Sequence, residues 1–75
     1  MSDSLRLEPY NRLMLGDTEL RIGERIEVLV DGQWRAGFVR FERNWQSFYI
    51  KLHGRTIWQW KGVPARRALQ KPEAP

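Results

Sequence analysis

A chain of 75 residues makes one domain, and one this short buries only about 60% of the surface its unfolded form exposes. It has no cysteine, so neither a disulfide nor a cysteine-ligated zinc can staple its thin core. The net charge of +4 speaks to association and solubility rather than to fold.

The opening "MSDSLRLEPY" carries acids and no apolar run of signal-peptide length. Nowhere do about 18 apolar residues follow one another. A cytoplasmic protein without membrane contact is the default expectation, with residues 1–9 as a flexible N-terminal segment.

Strand signals begin with "NRLMLGDTELRIG", which predicts a small hairpin around Gly16-Asp17. In "RIEVLVDGQWRAGFV", Ile26, Val28 and Val30 alternate onto one face, Asp31-Gly32 turns the chain, and Trp34, Ala36 and Phe38 share a face of the returning strand. An Asp-Gly pair between alternating apolar residues is a strong hairpin signal, and Trp34 is expected in the core. "FERNW" reads as a connecting loop or bulge. "SFYIKL" alternates Phe48, Ile50 and Leu52 with Tyr49 and Lys51 before His53-Gly54 turns into "RTIWQW". Beyond Trp60, Gly62 and Pro64 interrupt the strand, predicting a short helical turn and then a last strand near Arg66. The domain is expected over 10–69, with a disordered tail at 70–75, where "KPEAP" mixes proline with charge.

Two hairpins, a short turn and a closing strand are the layout of SH3-like barrels. The expected fold is mostly β, a small SH3-like or Tudor-like barrel of five to seven short strands with a short helical turn near the C-terminus. Through "LMLGDTELRIGERIEVLVDGQW" and "GVPARR", from about Arg12 to Arg67, the chain resembles a family of small bacterial proteins, a domain of unknown function often found on phages and other mobile elements. That resemblance implies the barrel and no particular activity. "GERIEV" and "GQWRAGFV" are also similar to early strands of the plasmid-borne, trimethoprim-insensitive dihydrofolate reductases, short SH3-like chains that assemble as tetramers around a shared pore. Of the V-Q-I-Y pattern in their pore strand, this chain keeps only Gln59, flanked by Trp58 and Trp60, whose indoles would crowd such a pore. The reductase likeness is one of fold without site.

Candidate chemistry is sparse. The single histidine, His53, falls in a predicted turn without a nucleophile or orienting partner, so no catalytic residue is assigned. One histidine without cysteine makes no zinc site, and no phosphate-cradling glycine motif occurs. Neither metal nor cofactor is expected.

Charge is unevenly spread. Residues 1–31 hold seven acids against four arginines, a net of −3, whereas 32–75 hold nine bases against two acids, a net of +7. The basic half also carries all four tryptophans. Basic strands bearing exposed aromatics hold nucleic acid in small barrels, with cations on phosphates and rings on bases. The expected interface comprises Arg35, Arg40, Arg43, Lys51, Arg55 and Lys61 as phosphate partners, with Tyr49 and Trp60 as stacking rings. Thr56, Trp58 and Trp60 share one strand parity: with Ile57 facing the core they form an outward aromatic ledge beside Tyr49 and Lys51, whereas the opposite parity buries both indoles. Of the two indoles, Trp58, in mid-strand, is read as core and Trp60 as half-exposed. Arg66 and Arg67 are expected to anchor the last strand or its acidic neighbours, with extension of the basic patch as the alternative. The rival partner is an acidic protein surface, as in an inhibitor of a host protein, and a homodimer through the aromatic face is a third possibility.

Overall fold

The structure, a computed structural model, describes residues 3–67. Eight strands follow in order: β1 (Leu5–Glu8), β2 (Arg12–Leu15), β3 (Thr18–Glu19), β4 (Arg25–Val30), β5 (Gln33–Glu42), β6 (Ser47–Leu52), β7 (Arg55–Ile57) and β8 (Ala65–Arg67). They pair into a three-stranded sheet, β1-β2-β3, and a five-stranded one, β7-β6-β5-β4-β8. The fold is thus mostly β with more strands than expected, and they pair as two sheets rather than one closed ladder. No helix occurs among the described residues. In place of the expected helical turn, Lys61-Gly62 form a turn in which the Val63 N–H donates to the Trp60 carbonyl at 3.0 Å.

The N-terminal expectation is corrected as well. Leu5 is fully buried and β1 pairs with β2 from Leu5–Leu15 to Glu8–Arg12. Alternating leucines explain this, since Leu5, Leu13 and Leu15 all face inward. The sheets join through β1: the Leu5 N–H donates to the Val63 carbonyl (3.0 Å) and the Gly62 N–H to the Leu5 carbonyl (2.9 Å). The expected tail at 70–75 lies outside the described residues.

The Asp31-Gly32 turn governs the main hairpin. Both residues have positive φ, 52° and 77°, the requirement of a type I′ turn, whose twist suits the flanking strands. A two-residue turn pairs Val30 with Gln33, and therefore Val28 with Arg35 and Ile26 with Gly37. Directly opposed residues share a face, so the core-facing positions of β5 are odd-numbered. This overturns the reading of Trp34 as core. Trp34, Ala36 and Phe38 lie on the outer face, while Gly37 and Val39 face inward.

Gly37 is needed there. A Cβ at this position would meet Leu52 Cδ2 at 2.5 Å and Ile50 Cγ2 at 2.9 Å, so the bare backbone admits both side chains. Val39 opposes Ile50, and Phe41 opposes Phe48 with ring centroids 5.0 Å apart in edge-on contact. With Ile26, Val28 and the N-terminal leucines these form one core, in which each buried aliphatic side chain contributes roughly 1.5–3 kcal/mol relative to an exposed one.

Candidate functional site

The core claims the odd positions of β5 and the even positions of β6, so their alternates are turned outward. Register places Phe38 opposite Lys51 and Arg40 opposite Tyr49. Thr56 of β7 adjoins Lys51, whose Nζ lies 3.5 Å from Thr56 Oγ1. Past Ile57 the chain bends, carrying Trp58 over this face. Its ring lies 4.5 Å from that of Tyr49 and 5.0 Å from that of Trp45, centroid to centroid.

Trp45 arrives from the turn between β5 and β6, residues 43–46, where Gln46 has φ 49°. Glu42 stabilises that turn by accepting the Asn44 N–H at 3.1 Å. The result is a row of three aromatic rings with Trp58 in the middle. Aromatic pairs contribute roughly 0.5–1.5 kcal/mol beyond burial, yet Trp58 stays 41% and Trp45 69% exposed. Two large indoles left in water while touching each other form an apolar platform that the core does not require.

Cations surround it. Arg40 and Lys51 stand on the same sheet face as Tyr49, Arg43 sits in the turn with Trp45, and Lys61 lines a shallow cleft with Trp58 and Ser47. No acidic side chain forms an ion pair with these four among the described residues. The acids on this face are otherwise engaged, Glu42 with its turn and Glu27 with Arg66 at 2.6 Å.

Three expected site residues lie elsewhere. Trp60 is 3% exposed, its ring 6.4 Å from that of Phe48 and its indole N–H donating to the Phe48 carbonyl at 2.6 Å. This reverses the reading of Trp58 as core and Trp60 as half-exposed, because that reading rests on a strand running through both indoles, whereas β7 ends at Ile57. Once the chain leaves the ladder, period-two alternation no longer applies. Trp58 falls outward and Trp60 is folded back into the core. Arg35 and Arg55 have core-side parity: Arg35 Nη2 donates to the His53 carbonyl at 3.1 Å, and Arg55 Nη1 lies 3.4 Å from Asp31 Oδ2. Both brace turns at the opposite end of the sheet from Trp45.

Trp45, Trp58 and Phe38 stand on this face although none is among the residues expected at the interface. Turn arithmetic alone would have found Phe38, and a tryptophan amid Arg43, Asn44 and Gln46 was a signal for Trp45. Nothing in the sequence marks the end of β7 at Ile57.

Arg66 and Arg67 anchor the last strand. Arg66 pairs with Glu27 and its guanidinium carbon lies 4.1 Å from the Trp34 ring centre, while Arg67 Nη2 is 3.0 Å from Glu24 Oε2, within ion-pair distance though off the hydrogen-bonding direction. Trp34 is thereby covered from outside rather than from within. His53 sits exposed in the β6–β7 turn. Among the described residues no three His, Asp or Glu side chains gather as metal ligands, and no helix is long and apolar enough to cross a membrane. The chain matches no protein-family model, no curated protein and no solved structure.

Proposed function

We propose that this chain is an SH3-like β module that binds nucleic acid in the cytoplasm without catalysing a reaction. The observation that carries the reading is the exposed Trp45–Trp58–Tyr49 row, set among Arg40, Arg43, Lys51 and Lys61. Stacking on an aromatic ring is favourable for any base, and cations beside the ring meet the phosphates. The two hairpins β4–β5 and β5–β6, with β8 returning to the edge of β4, support the SH3-like description.

Arginine and lysine at the platform have different parts. Arg40 and Arg43 present planar donors to phosphate oxygens, whereas Lys51 and Lys61 act as point charges. The binding is expected to be tolerant of base sequence, because ring faces and phosphates are common to all nucleotides.

Fluorescence anisotropy of labelled DNA and RNA, repeated between about 50 and 200 mM salt, tests this. Affinity should fall steeply over that range. Trp58→Ala should weaken binding by roughly five- to 150-fold, the worth of one stacked base, while the loss of its two ring pairs costs about 1–3 kcal/mol of stability beyond the buried area. Absence of binding at micromolar wild-type protein would overturn the reading.

A further inference from the structure

We infer that the ligand is a single strand of at least two successive nucleotides, the second base stacking on Phe38. This rests on the nucleic-acid reading and concerns a part of the outer face the aromatic row leaves free. Phe38 is 43% exposed at the middle of β5, a position where an apolar ring gains nothing from the core.

Its neighbours are specific. Across the sheet it pairs with Arg25 of β4 on one side and Lys51 of β6 on the other, so one transverse row reads Arg25, Phe38, Lys51. All three line the same shallow cleft with Ala36 and His53. Neither Arg25 nor Lys51 is engaged in an ion pair with an acid among the described residues. The next row reads Arg40, Tyr49, and then Trp58 above Tyr49.

The two rows are two residues apart along the strand, roughly 6.6–6.8 Å, and Phe38 lies diagonal to Tyr49, a relation that spans about 7–8 Å. An extended nucleotide backbone repeats on this scale. A base held at the Tyr49 end of the aromatic row therefore has Phe38 as the next ring along the face, with Arg40 and Lys51 on the other diagonal to meet the intervening phosphate. Cation and aromatic ring alternate along both directions of the face, matching the alternation of phosphate and base.

A duplex cannot use this track, since its base faces are already stacked on one another and only edges and phosphates remain accessible. The track thus selects single strands. It carries no feature that discriminates deoxyribose from ribose, so DNA and RNA are separate arms of the test.

The experiment is an anisotropy series with labelled oligothymidylates and oligouridylates of increasing length, and a duplex of equal length, on wild type, Phe38→Ala and Phe38→Leu. Thermal melting of each variant confirms its fold. Wild type should gain affinity on passing from one nucleotide to longer strands and prefer them to the duplex. Phe38→Ala should lose that gain, by roughly five- to 150-fold on the longer strands. Phe38→Leu, which keeps an apolar side chain without a ring, should lose most of it too. Wild-type binding with a length dependence unchanged in both variants, or a preference for duplex, overturns this inference while leaving the binding function intact. No binding by the wild type would instead remove the function on which it rests.

Discussion

Both faces of the β5–β6 hairpin carry large apolar side chains and put them to opposite uses. On the inner face Val39 meets Ile50 and Phe41 meets Phe48, and even the glycine at 37 is dictated by its neighbours. On the outer face Phe38, Tyr49, Trp45 and Trp58 touch one another or water, interleaved with Arg25, Arg40 and Lys51. Hydrophobicity alone does not distinguish the two. What separates them is what surrounds the rings: buried apolar side chains inside, water and cations outside. A thin domain that can cover only part of its apolar surface has placed the uncovered remainder beside positive charge.

Trp60 and Trp58, two residues apart, condense this contrast. Trp60→Ala should be the most damaging change in the molecule. It removes a buried indole together with the hydrogen bond to the Phe48 carbonyl, at about 3–5 kcal/mol. A core this small supplies little more than that. Urea unfolding should find the variant largely unfolded, and a stable Trp60→Ala protein would place the indole outside the core.

Gly37→Ala should come next. Its methyl group runs into Leu52 and Ile50, and overpacking of this kind costs about 1–3 kcal/mol. Thermal melting should show a midpoint lowered by several degrees. An unchanged midpoint would mean that the inner face yields more than its packing suggests.

Arg66→Ala sharpens the comparison from the outer side. The ion pair with Glu27 is partly exposed and contributes at most about 1 kcal/mol, and the cation over Trp34 adds about 0.5–1 kcal/mol. The expected loss is near 1 kcal/mol, part of it disappearing at high salt. Insensitivity to salt would assign the stabilisation to the ring contact alone.

Much of this architecture was legible from residue order. The Asp31-Gly32 hairpin, the alternation of Phe48, Ile50 and Leu52, the Gly16-Asp17 turn, and the anchoring of Arg66 and Arg67 on acids all follow from local chemistry. The facing of β5 was also available, because a two-residue turn pairs even positions with odd ones, yet the bulk of Trp34 argued for the core against that arithmetic. The platform was half visible. Tyr49, Arg40 and Lys51 follow from strand parity, but parity holds only while a strand lasts. Beyond Ile57 the segment folds back so that Trp60 packs on Phe48 of β6 and Gly62 and Val63 bond to Leu5 of β1, a long-range arrangement that no short window of sequence contains. The strand β1 was hidden for a related reason: four residues with two leucines form a strand only because β2 and the segment before β8 receive them.

The most direct test follows the indole N–H signals of the protein by NMR while a single-stranded oligonucleotide is added. Each tryptophan reports on its own face in one experiment. The account predicts that the Trp45 and Trp58 signals move as the strand binds, while the Trp60 signal, its proton held by the Phe48 carbonyl, stays in place. Movement of Trp60 with Trp45 and Trp58 unchanged would contradict it, as would a titration in which none of these signals moves.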